Sequence, residues 1–235
     1  MIKAVFFDLD DTLFDHKHSR LAGLEILRQK HTQLKAVSLE ELEREHEKLL
    51  SADYGRVLAK EISLVDGTIS RIKNLCALYN VDLGPQDVKE TAGCYVSEYE
   101  KNRQALPGSK ELLNYLKKFA RLGIITNGLV AAQNEKIEVC KLGKFIEVKV
   151  IFEEVGCKKP SREIFELALK KAGANPDETV YIGDSWTSDI VPAHACGIKT
   201  VWLNRYGLDC PDPKITIEIK SYLGINYREI LGPER

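Results

Sequence analysis

A mostly parallel α/β sheet, interrupted by a long helical insertion, is the architecture this sequence predicts, and three observations predict it. Short apolar runs rich in β-branched and aromatic residues occur at "IKAVFF" from Ile2, "LGIIT" from Leu122, "VKVIF" from Val148, "TVYIG" from Thr179 and "KTVWL" from Lys199. The last four are separated by segments with helical spacing, the alternation that builds a parallel sheet. Between the first run and the second lies a long stretch whose apolar residues recur only at helical spacing.

The first run leads into "FFDLDDTLF", which crowds Asp8, Asp10 and Asp11 together at a strand end. The insertion follows. Its helical spacing is clearest at Leu39, Leu42, Leu49 and Leu50, and at Ile69, Ile72, Leu75 and Leu78, with a loop at Gly84 and Pro85 dividing its helices. Its edges fall after Phe14 and at "ALPG", ending with Pro107 and Gly108. The expected division is a core of residues 1–14 and 105–235 and a helical domain of residues 15–104. In the core, "SKELLNYLKKF" from Ser109 and "SREIFELALKKAG" from Ser161 read as helices beside the strands.

The chain has 235 residues, 44% of them apolar, enough to bury a core. Its 34 Lys and Arg nearly cancel its 35 Asp and Glu, so no overall basic field exists to collect a nucleic acid polymer or anionic lipid. Any bound anion must be held locally. No apolar run approaches the length of a membrane span, and none of the six cysteines forms a C-x-x-C pair. Reduced thiols in a cytoplasmic protein are the expectation.

In an open parallel sheet, ligands bind beyond the carboxyl ends of the strands. There the sequence places Asp8 and Asp10 after the first run, and Thr126 and Asn127 after the second. Lys158, Lys159 and Pro160 come shortly after the third, and Gly183 and Asp184 end the fourth. Carboxylates from two loops supply the hard oxygen ligands that suit Mg²⁺. Lys159 and the Thr126 hydroxyl, with nearby backbone N–H groups, suit a tetrahedral anion such as a phosphoryl group.

"DLDDT", "ITNG", "KKPSREIF" and "GDSWTSDI", in this order, resemble the four motifs of the haloacid dehalogenase superfamily, and the chain resembles its helical-cap phosphatases along nearly its whole length. The resemblance implies a Rossmann-like catalytic core with an inserted α-helical cap that selects the substrate. It implies Asp8 as nucleophile, forming an aspartyl-phosphate, and Asp10 as general acid and base. Thr126, Asn127 and Lys159 would bind the phosphoryl group. Asp8, Asp184 and Asp10, the last through its backbone carbonyl, would hold Mg²⁺, and Asp189 would orient a metal-bound water or Lys159. Asp11 would shape the loop.

The implied activity is Mg²⁺-dependent hydrolysis of a small phosphorylated metabolite, a nucleoside monophosphate or a sugar phosphate. A sugar phosphomutase of the same superfamily is the alternative. A phosphoacceptor signalling domain also combines acidic residues, a Thr and a Lys-Pro pair, but such a domain is about half this length and carries its acceptor mid-chain. Taken singly, the motifs read as an acidic turn, a solvated lysine pair and a helix cap. Their order and strand-end placement set those readings aside. His16 and His18 lack a third ligand and receive no role, and "GCKKPS" from Gly156 lacks the spacing of a phosphate-binding loop.

Overall fold

The computed structural model describes residues 1–231. The chain divides into two compact units, Met1–Asp15 with Gln104–Arg235, and His16–Arg103.

In the first unit, β1 (Ala4–Phe7) comes before the helical unit, which holds α1 (His16–Lys30), α2 (Leu39–Leu58), α3 (Leu64–Ala77) and α4 (Pro85–Lys101). After it come α5 (Ser109–Leu116), β2 (Arg121–Thr126), α6 (Val130–Val139), β3 (Val148–Ile151), α7 (Phe152–Val155), α8 (Arg162–Ala172) and β4 (Thr179–Gly183). A π-helical turn at Trp186–Ile190 leads into α9 (Val191–Ala195), β5 (Lys199–Leu203), β6 (Thr216–Ile219) and α10 (Tyr227–Leu231).

The strands form one six-stranded sheet in the order β3-β2-β1-β4-β5-β6, every neighbouring pair parallel. β1 is fully buried and sits between β2 and β4, so chain order runs outward from it in both directions, the switch point at which such sheets bind ligands. Register fixes the rim: Phe7 pairs with Ile124 on one side and Ile182 on the other, so Asp8, Thr126 and Asp184 all emerge at one end.

α8 follows its sequence signals closely. Its face of Ile164, Phe165, Ala168 and Ala172 packs on Phe6, Ile125, Val150 and Tyr181 of the sheet. The helix stops at Gly173, which takes the left-handed conformation that an L side chain resists. α5 is shorter than its spacing predicts, ending at Leu116.

β6 is the element the sequence pattern does not announce. "TIEI" is a half-exposed edge strand, without the continuous apolar run of the interior strands.

The helical unit has its own core, in which Leu24, Leu27, Leu42, Ile72, Leu75, Ala92 and Tyr95 pack together. α2 and α3 start on serine caps, Ser38 accepting from Glu41 N at 3.1 Å and Ser63 from Asp66 N at 3.0 Å. Pro85 opens α4, a position where its missing N–H is harmless.

The cysteines are free, with Cys76, Cys140 and Cys196 buried. No helix among the described residues is long and apolar enough to cross a membrane.

Candidate active site

β1 hands its last backbone hydrogen bond to Asp8, whose N–H donates to Ile182 O at 2.9 Å. The chain then turns at once: Leu13 N and Phe14 N both donate to Leu9 O at 2.9 Å. Asp11 makes this turn with φ of 57°, a left-handed conformation that Asp tolerates better than most residues. Arg205, just past β5, pins the turn from outside, donating to Asp11 Oδ1 at 3.2 Å and Asp15 Oδ1 at 2.9 Å. Asp11 therefore shapes the loop, and its carboxylate is engaged away from Asp8.

The centre of the site is a buried ion cluster. Lys159 Nζ lies 2.6 Å from Asp8 Oδ1 and 2.6 Å from Asp189 Oδ1, and donates to Tyr181 Oη at 3.1 Å. Tyr181 Oη in turn donates to Asp189 Oδ1 at 2.9 Å. Asp189 Oδ2 accepts from Ser185 N at 3.0 Å, which fixes the loop between β4 and the π-helical turn. Burial alone would lower the Lys159 pKa, but Asp189 and Asp8 overcome it and hold the ammonium charged. Asp8 is pushed up to about 7, chiefly by burial, with Asp189 and Asp10 adding to the rise against the pull of Lys159. Asp184 is likewise raised well above its ordinary value by burial, then by Asp189 and Asp8.

Asp184 is placed by two neighbours. Trp202 Nε1 donates to its backbone carbonyl at 2.8 Å, and Thr12 Oγ1 donates to its Oδ1 at 3.2 Å. Asn127 works through its side chain as well as its position: its Oδ1 accepts from Lys159 N at 2.8 Å and its Nδ2 donates to Lys159 O at 2.9 Å. The second strand end thereby grips the loop that carries the lysine. Thr126 Oγ1 accepts from Gln133 Nε2 at 2.6 Å, which leaves the hydroxyl proton available to a ligand oxygen.

The carboxylates of Asp8, Asp184 and Asp189 each offer an oxygen, all within 4.8 Å of one another. Lys159 is a cation set among them, and Asp8 and Asp184 are raised first by burial and further by the neighbouring carboxylates. An all-oxygen donor set fits a hard divalent ion. Nearby, the Tyr222 hydroxyl is buried without a hydrogen-bond partner and is held protonated by burial and by the fields of Asp184 and Asp8.

The Asp10 carboxylate stands outside that acidic group. It turns to α6, where Lys136 Nζ approaches its two oxygens at 2.6 and 2.9 Å and Gln133 Nε2 donates to Oδ2 at 3.2 Å. Sequence reasoning singled out neither Gln133 nor Lys136, nor Tyr181 and Arg205. The available signal was the pair of polar residues three apart on a helix that starts at the rim. His16 donates to or accepts from Tyr99 Oη through Nδ1 at 2.9 Å, within the helical unit.

Fold and site together define an α/β protein with a buried cluster of carboxylates and a lysine at the ends of its strands. The chain matches the family described as haloacid dehalogenase-like hydrolase over residues 2–197. It is 33% identical over 212 residues to a glyceraldehyde 3-phosphate phosphatase of Pyrococcus abyssi, a match covering 88% of this chain and 83% of that protein. A shorter match, 41% identical over 109 residues, relates 46% of the chain to 48% of a pyrimidine 5'-nucleotidase of Escherichia coli. Among solved structures, a HAD phosphatase from Thermococcus onnurineus is similar over 100% of both chains, with a TM-score of 0.64 and 26% identity. The chain belongs to the haloacid dehalogenase-like hydrolase family. It is an enzyme, and the curated relatives named here are phosphatases or nucleotidases.

Proposed function

We propose that this enzyme is a Mg²⁺-dependent phosphatase that hydrolyses a small phosphomonoester, a sugar phosphate or a nucleoside monophosphate, through an aspartyl-phosphate on Asp8. The observation that carries it is the position of Lys159, which bonds Asp8 and Asp189 together at 2.6 Å each in a buried site. A carboxylate held in one direction by a buried cation, beside a hydroxyl with a proton to give, is an arrangement for attack on phosphorus.

Asp8 would attack phosphorus in line, forming a P–O bond as the ester P–O bond breaks. The electron pair leaves with the ester oxygen, which takes a proton from Asp10. Water then attacks the same phosphorus, Asp10 accepts its proton, and phosphate departs with Asp8 restored as a carboxylate. Through both steps Thr126 donates to a phosphoryl oxygen and Lys159 balances charge on Asp8 and the transferring group. Asp8, Asp184 and the backbone carbonyl of Asp10 are the groups that would hold Mg²⁺, with Asp189 orienting Lys159 behind them. Bound there, the ion would neutralise the crowded carboxylates and the phosphoryl oxygens. Residues 15–104 serve as the cap that selects the alcohol.

The relatives support this class of substrate, one being named for a triose phosphate and another for pyrimidine nucleotides. The test is phosphate release from a panel of sugar phosphates and nucleoside 5'-monophosphates, with Mg²⁺ and after its removal by chelation. Release that persists in full without divalent metal would sink the metal site. Transfer of the phosphoryl group within a sugar phosphate, with no phosphate released, would favour the mutase.

A further inference from the structure

The acid–base residue of this site has a lysine of its own. Lys136 and Gln133 lie three apart on α6, so they share one face of the helix. Lys136 reaches both oxygens of the Asp10 carboxylate, at 2.6 and 2.9 Å, and its side chain is only 13% exposed. Its ammonium also lies 5.3 Å from the centre of the Phe14 ring, at the far end of the turn that carries Asp10. A solvated surface lysine makes no such set of contacts.

Gln133 joins this carboxylate to the phosphoryl-binding hydroxyl. Its Nε2 donates to Asp10 Oδ2 at 3.2 Å and to Thr126 Oγ1 at 2.6 Å, while its own Oε1 is buried without a partner. The backbone makes room for it: a Cβ on Gly128 would lie 2.6 Å from Gln133 Nε2. Two lysines therefore serve two carboxylates, Lys159 the nucleophile and Lys136 the proton-transfer group. No ion pair of Lys136 with Asp8, Asp184 or Asp189 occurs among the described residues.

We propose that Lys136 and Gln133 are positioning residues that fix the direction of the Asp10 carboxyl relative to the Thr126 hydroxyl, and so govern proton delivery to the departing oxygen. This rests on the phosphatase assignment above. Neither residue needs to touch the substrate.

The experiment compares two esters that differ in their need for that proton. p-Nitrophenolate departs without one, whereas the alkoxide of a sugar phosphate does not. Full-length Lys136→Met, Lys136→Arg and Gln133→Leu are assayed for kcat/KM, which reports the steps through departure of the alcohol. The probes are p-nitrophenyl phosphate and the sugar phosphate that the unmodified protein hydrolyses fastest.

The expected result for Lys136→Met is a loss of about 10- to 100-fold on the sugar phosphate and under about threefold on p-nitrophenyl phosphate. Lys136→Arg should restore most of the loss, and Gln133→Leu, which also releases Thr126, should lose activity on both esters but more on the sugar phosphate. Equal losses on both esters, or none on either, would overturn the proposal while leaving the phosphatase intact. An unmodified protein that releases phosphate from neither ester would instead remove the assignment on which the proposal stands. Should Lys136→Met fail to fold by circular dichroism, the two-ester ratio of Gln133→Leu decides alone.

Discussion

Lys159 Nζ stands 2.6 Å from Asp189 Oδ1, the same distance at which it meets Asp8. Asp189 is thus a structural counterweight: it shares the ammonium with Asp8, takes the Tyr181 hydroxyl and anchors Ser185 N. Asp189→Asn keeps the size but removes the charge and points an amide N–H₂ at a donor. The expected outcome is a fall in kcat of about 10- to 100-fold, the range for groups that orient a site from behind. Steady-state phosphate release checks it, and unchanged kcat would show that Asp8 alone positions Lys159.

Asp8 and Asp10 should fail differently. Asp8→Asn removes the attacking oxygen, so no chromophore should be released from p-nitrophenyl phosphate beyond background. Asp10→Asn leaves the attack possible on an ester whose leaving group needs no proton, but removes the base that activates water. A burst of about one p-nitrophenolate per enzyme, followed by slow turnover, is expected in a stopped-flow trace. A burst in Asp8→Asn, or none in Asp10→Asn, would contradict the separate roles.

Gly183 ends β4 against the Asp189 side chain. A Cβ added there would lie 2.5 Å from Asp189 Cβ and Cγ and 2.6 Å from its Oδ2, and Asp189 is buried and bonded on both oxygens. The side chain cannot step aside without releasing Lys159. Gly183→Ala should therefore lower stability by about 1 to 3 kcal/mol, as overpacking does, and lower kcat with it. Urea unfolding and kinetics on one preparation test both, and retained kcat in a destabilised protein would uncouple the clash from the site.

The strand ends that carry Asp8, Thr126 and Asp184 were legible because apolar strand runs stop abruptly at polar residues, and register in a parallel sheet then aligns those stops. Lys159 was legible through its place shortly after the third apolar run, in the motif "KKPSREIF". What the sequence did not disclose is partnership. Tyr181 sits inside "TVYIG" and reads as core, which it is, yet its hydroxyl meets Lys159 and Asp189. Arg205 lies 194 positions from Asp11, and such a pairing exists only once β5 is laid beside β4. β6 escaped notice because an edge strand need not be apolar on both faces.

The helical unit carries its own pH dependence, at His46. Arg71 Nε donates to His46 Nε2 at 3.0 Å, so the ring proton lies on Nδ1, which is buried without a hydrogen-bond partner. Burial lowers the imidazole pKa well below its ordinary value, and the charges of Arg71, Arg20 and His16 lower it further. The Tyr95 ring, 5.4 Å away, adds no counter-charge in its neutral form. A folded-state pKa below the unfolded one means that the unfolded chain takes up a proton which the folded chain refuses. Nothing is lost above about pH 6.5; below it, stability falls by up to about 1.4 kcal/mol per pH unit for this one group. His46→Gln keeps an oxygen that can accept from Arg71 but cannot titrate. Urea unfolding at about pH 7.5 and 5.5 should show the variant losing about 1 kcal/mol less than the parent on acidification, whereas equal losses would mean that His46 is protonated in the fold.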